Sequence, residues 1–155
     1  MIGHSLYATI SDILSDIDSE LLIQLVNDEN TTVDLEDDDD PAVVRINQQI
    51  TTAGDEIDGY IRAHHSLPLD PVPGLIRQIC VDIAIYNLYK RRHRLDMPES
   101  IVNIYRDKVK LLEAIQKGVV TIGTSGTPAA GESAGVRVNK TDDDRIFGRD
   151  VLDAY

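Results

Sequence analysis

Residues 43–60, VVRINQQITTAGDEIDGY, decide the fold. Val43, Ile46, Ile50, Ala53, Ile57 and Tyr60 recur at alternating spacings of three and four. An α-helix turns once every 3.6 residues, so these side chains form one apolar stripe over about five turns. Gly54 and Gly59 weaken such a helix without breaking its pattern. Upstream, Pro41 suits the first helical turn, where its missing N–H is not needed. Asp40 before it favours the positive helix end. Downstream, residues 66–74, SLPLDPVPG, hold three prolines and read as a loop.

Outward from this helix the chain stays helical. In residues 75–91, Leu75, Ile76, Ile79, Cys80, Ile83, Ala84, Tyr86 and Leu88 point in most directions. A helix apolar nearly all round belongs at the centre of a bundle. It runs into the charged stretch KRRHRLDMP, residues 90–98. Pro98 and Glu99 then open a last long helix. Its expected face is Ile101, Ile104, Tyr105, Lys108, Leu111, Leu112 and Ile115, and Gly118 suits its C′ position. Toward the N-terminus, Thr9 and Asp12 resemble a capping box with Asp in place of Glu. A short helix to about Ser15 follows from that box. Asp18 or Ser19 caps a second one carrying Leu21, Leu22, Leu25 and Val26. Residues 27–40 read as a polar loop, and Val119, Val120 and Ile122 as a candidate short strand. The expected fold is all-α: a small bundle of four to five helices with an extended C-terminal arm.

The arm follows from a change of character after residue 118. Residues 123–135, GTSGTPAAGESAG, are a Gly/Ser/Thr/Ala linker. Residues 136–155 cannot build a core, yet they space Phe147, Leu152 and Tyr155 through a polar background. That is the composition of a docking arm. The expected organisation is a helical domain over 1–122, a linker over 123–135 and the arm over 136–155.

Composition bounds the chemistry. The chain has 155 residues, 42% hydrophobic and 27% charged, which is enough for one domain with a true core. No apolar run nears the roughly 18 to 20 residues of a membrane span, so no membrane role is expected. The opening MIGHSLYATISD lacks the basic and apolar regions of a secretory leader, and the expectation is a soluble intracellular protein. The single Cys80 excludes an internal disulfide framework and a Cys-rich zinc site.

Charge is lopsided. The net charge is −12. Residues 1–40 hold 12 acids and no Lys or Arg, so the remainder is neutral overall. Within that remainder, residues 90–117 hold eight bases against four acids. An acidic chain repels nucleic acid at long range. One acidic and one basic region would also allow head-to-tail pairing of copies. Solvated helix faces account for such clusters more often than sites do.

Catalytic and cofactor motifs are not found. GTPAAGES, residues 126–133, copies P-loop glycine spacing but has Glu132 where the phosphate-binding lysine belongs. DLEDDDD, residues 34–40, lacks the glycine and distal glutamate of a calcium loop. His64 and His65 are adjacent and cannot share a helix face. Cys80 sits in an apolar helix, where a small buried thiol is the ordinary case. KRRHR, residues 90–94, has no interleaved aromatics for nucleic-acid recognition. The expectation is no enzyme, no metal and no cofactor.

The ordered set of segments resembles the Mu-like bacteriophage head–tail connector proteins. YATISDIL and SELLIQLVND match near the start. Residues 42–92 follow, with Ile57-Asp58-Gly59-Tyr60-Ile61, the proline-rich loop and then Tyr86-Asn87-Leu88-Tyr89. RIFGRDVLDAY closes the match with Arg145, Phe147, Arg149, Asp150 and Leu152. The acidic run 36–40 and the long linker fall outside the resembling segments. The resemblance implies a helical adaptor in the virion neck, assembled in the host cytoplasm as a homo-oligomeric ring, typically twelvefold. It implies a portal protein above, a neck or tail-terminator protein below, and double-stranded DNA passing through. Arg145, Phe147, Arg149, Leu152 and Tyr155 are the candidate docking residues of the arm. Asp37, Asp38, Asp39, Asp40, Arg91, Arg92 and Arg94 are candidates for subunit contacts or lumen charge. The alternative is a helical protein-binding or regulatory module of phage origin outside the virion.

Overall fold

The computed structural model describes residues 6–92 and 95–123. The linker from residue 124 onward, the arm and Arg94 lie outside the described residues. Five helices occur among them: α1 (Ile10–Asp16), α2 (Ser19–Val26), α3 (Pro41–Ile61), α4 (Gly74–Arg91) and α5 (Glu99–Gln116). No strand occurs among the described residues, and Val119, Val120 and Ile122 lie in the turn and coil after α5.

Local chemistry sets the helix ends. The Thr9 hydroxyl accepts from the Asp12 N–H at 3.3 Å, and the Asp12 carboxylate accepts from the Thr9 N–H at 2.8 Å. This reciprocal pair satisfies two otherwise orphaned donors at the start of α1. Asp40 caps α3 by accepting from the Ala42 N–H at 2.8 Å, with Pro41 in the first turn. α5 ends in a Schellman motif. The Gly118 N–H reaches the Ile115 carbonyl and the Val119 N–H reaches the Ala114 carbonyl, both at 2.9 Å. Gly118 adopts φ +73°, the left-handed conformation this motif requires.

α3, α4 and α5 form the centre, and α1 and α2 close its flanks against α3 and α4. Val43, Ile46, Ile50, Ala53, Ile57 and Ile61 are fully buried along α3. Tyr60, expected in the stripe, is only partly buried. Ile61, four residues beyond Ile57, takes the inward position instead. α4 buries residues on most of its circumference, including Ile76, Ile79, Cys80, Ile83, Ala84 and Leu88. α5 is different: only Leu112 and Ile115 are fully buried, both in its last turns. Ile104, expected on the inner face, remains 39% exposed. The described core contains no buried charged residue.

Ile57→Ala, which empties the centre of the α3 stripe, is expected to cost about 2–5 kcal/mol. Gly118→Ala puts a Cβ in the left-handed region with no neighbour to clash, and is expected to cost about 1–2 kcal/mol. Urea unfolding of the two variants against the parent chain checks both magnitudes and their order.

Candidate interaction surfaces

α2 is eight residues long, too short to be stable alone, and its last carbonyls have no intrahelical partner. Three arginines, one from α3 and two from the end of α4 and its cap, supply the donors. Arg91 Nη1 donates to the Leu25 carbonyl at 3.1 Å, and Arg92 Nε donates to the same oxygen at 3.2 Å. Arg92 Nη2 donates to the Asn27 carbonyl at 2.6 Å, and Arg45 Nη1 donates to the Val26 carbonyl at 3.1 Å.

The acids just after α2 complete a clamp. Asp28 pairs with Arg91, and with Arg45 and Arg92 at 3.4 Å each. Glu29 pairs with Arg45. The Arg91 hydrogen bond holds the Asp28 carboxyl below its usual range, and the Arg45 bond does the same for Glu29. Arg91 and Arg92 therefore make their hydrogen bonds within the chain, at the end of α2. The partners Asp28, Glu29 and Arg45 carried no sequence signal: their spacing along the chain is irregular, and only the packing of α2 on α3 and α4 unites them.

The acidic loop divides into tied and free carboxylates. Asp34 accepts from the Glu36 N–H at 2.9 Å, and Asp37 from the Asp39 N–H at 3.0 Å. Asp40 accepts from both Asp34 N–H, at 2.9 Å, and Ala42 N–H, and these bonds lower its carboxyl pKa. Asx turns of this kind explain an aspartate at every third position of the loop. Val33 and Leu35, on either side of Asp34, pack against the core. Glu36, Asp37, Asp38 and Asp39 are exposed and make no ion pair with a described residue.

Other polar residues serve the packing. Tyr7 is buried and donates to Asp58, joining two segments of the resemblance; burial foremost raises its pKa. Tyr105 donates to Glu56 at 2.9 Å and stacks on Tyr86 with centroids 3.9 Å apart; burial pushes its phenol up to about 12. His64 Nε2 meets the Gln116 carbonyl at 2.8 Å, tying the end of α3 to the end of α5. His65 makes no such contact, so the two histidines separate as their adjacency predicts. Burial pushes the Cys80 thiol up to about 12, and it points at the Ile50 carbonyl, 3.7 Å away. No described cluster of His, Cys, Asp or Glu is placed to hold a metal ion. No described helix is long and apolar enough to cross a membrane.

One apolar groove opens where α1, α4 and the start of α5 meet. Ile17, Ile85, Ile101 and Ile104 line it, with Ser15, Asp16 and Asp82 around it, and its volume is about 370 Å³. Lys108 pairs with Asp82 at 3.2 Å. Asp16 accepts from Gln78 at 2.8 Å and has no cationic partner among the described residues. The docking residues Arg145, Phe147, Arg149, Leu152 and Tyr155 lie outside the described residues.

Comparison with known proteins adds a family. Residues 7–140 match the family model described as Bacteriophage Mu, Gp36. Gene product J of Escherichia phage Mu is 30% identical over 143 residues, covering 92% of this chain and 94% of that protein. The Mu-like prophage FluMu protein gp36 of Haemophilus influenzae is 28% identical over 89 residues, covering 57% of this chain and 60% of that protein.

The clamp predicts a pH-dependent variant effect. Asp28 has a lowered folded pKa, so its contribution is present above the unfolded value and fades as pH falls through the folded one. Asp28→Asn is expected to cost about 1 kcal/mol at neutral pH, because the pairs are partly solvated. Its difference from the parent chain should shrink below about pH 4. Urea midpoints at neutral and acidic pH check this; a constant difference would remove Asp28 from the titration.

Proposed function

The chain belongs to the bacteriophage Mu Gp36 family and is thus a phage-encoded protein, and from that premise we propose that it is a structural head–tail connector. In this reading copies assemble in the host cytoplasm and form a ring below the portal protein, in the neck of the virion. The ring joins the portal to the next neck or tail-terminator protein and lets double-stranded DNA pass. No catalytic step is assigned to it.

The observation that carries the reading is the family match, which runs from the capped start of α1 past the end of α5. The physical chemistry of the chain supports it. A conduit for DNA works best when its wall does not hold phosphates. Arg45, Arg91 and Arg92, a cationic cluster brought together by the fold, are already engaged by Asp28, Glu29 and the carbonyls at the end of α2. Glu36, Asp37, Asp38 and Asp39 stay exposed and add to a net charge of −12. A small helical body with an apolar interior and this charged surface suits an adaptor between larger assemblies.

Electron microscopy of a phage lysate lacking this gene tests the reading. Filled or leaking heads beside separate, complete tails are expected. Normal tailed particles would refute it and favour a regulatory module outside the virion.

A further inference from the structure

The two ends of α5 carry different surfaces. Near its start, Ile101 and Ile104 complete the groove with Ile17 and Ile85. No residue of α5 before Leu112 is fully buried, and Ile104 leaves 39% of its apolar side chain accessible at the groove. Of the two carboxylates at the groove, only Asp82 has a cation, Lys108. Asp16 has none among the described residues, so the groove is apolar with an acidic edge.

The other end is an apolar knob with a basic neighbour. Val119 is 77% exposed, more than any other large apolar side chain among the described residues. Lys117 beside it is also exposed. The Schellman motif fixes this tip: the Gly118 and Val119 N–H groups are bonded back to Ile115 and Ala114. A knob already held in place loses little conformational freedom on docking.

Knob and groove suit one another in polarity and in charge sign. They cannot meet within one chain, because a rigid helix of 18 residues, about 27 Å long, separates them. We infer that the α1/α4/α5 groove of one copy receives the Lys117–Val119 tip of a second copy. Val119 enters among Ile85, Ile101 and Ile104, and Lys117 faces Asp16. The contact is heterologous, since the two patches differ. Each docked pair leaves one groove and one knob free, so copies add head to tail until the ring closes. A single contact of this size is weak, and closure makes it effective by linking many. The inference deepens the connector reading and rests on it for ring closure.

The full-length chain tests it. Ile104→Cys and Val119→Cys chains, prepared separately, are mixed under mild oxidation. The native Cys80 is buried and contributes little background. A mixed disulfide dimer is expected, well above that formed when Val119→Cys is mixed with Thr52→Cys on the exposed side of α3. Equal yields would overturn the contact. Sedimentation then reads self-association after charge reversal. Lys117→Glu and Asp16→Lys should each weaken it about fivefold to tenfold, and the double reversal should restore it to within about twofold. Loss without restoration, or a parent chain that stays monomeric and gives no mixed disulfide, overturns the proposal. The exposed positions of Lys117 and Val119 keep folding intact, which a thermal melt verifies. Finally, Val119→Glu is supplied to the deletion phage. Tailed particles at parental yield would refute this contact while leaving the connector reading in place.

Discussion

The isoleucine seam between α3 and α4 is the constraint on which everything else rests. Ile46, Ile50, Ile57 and Ile61 on one helix and Ile76, Ile79, Ile83 and Leu88 on the other are all sealed from solvent. Burying one such side chain contributes about 1.5–3 kcal/mol, so the seam supplies a large share of the stabilisation. It offers no polar feature to fix how the shorter helices sit. That task falls to the edges: Tyr7 to Asp58, Arg91 and Arg92 to the end of α2, His64 to the end of α5, and Lys108 to Asp82. Each bond joins segments far apart in sequence, so each reports a correctly assembled bundle.

Charge in this chain has two separate uses. Asp34, Asp37 and Asp40 satisfy backbone N–H groups of their own loop, and Asp28 and Glu29 pair with the three arginines that hold α2. The remaining carboxylates, Glu36, Asp38 and Asp39 among them, face water. A strongly acidic composition therefore conceals an ordered loop and a compensated cluster. What is left over is a net repulsion for phosphates, which suits the DNA passage of the proposed connector role.

α5 links the core to the proposed assembly. Its last turns are anchored by Leu112 and Ile115, while its first turns keep apolar surface outward. Such a helix is anchored on its own bundle and still has surface to offer a partner. A ring built from contacts along this helix needs no rearrangement of the seam, so assembly and folding remain separate problems.

The sequence by itself determined the helices and their ends. The stripe from Val43 to Ile57, the Thr9–Asp12 box, Pro41 behind Asp40 and Gly118 after α5 are local signals, read from period and backbone chemistry alone. The family was also legible, because ordered segments from Tyr7 onward survive as a pattern. Tertiary structure decided what periodicity cannot encode. Ile104 has the right spacing for an inner face, yet it stays partly in water, because full cover on α5 comes only at Leu112 and Ile115. Arg91 and Arg92 look like a free basic patch until Leu25, Asn27 and Asp28 are brought beside them. The groove of Ile17, Ile85 and Ile101 exists only because three helices converge. The physical reason is range: capping and amphipathic period act within a few residues, whereas clamp and groove join positions from 16 to more than sixty apart.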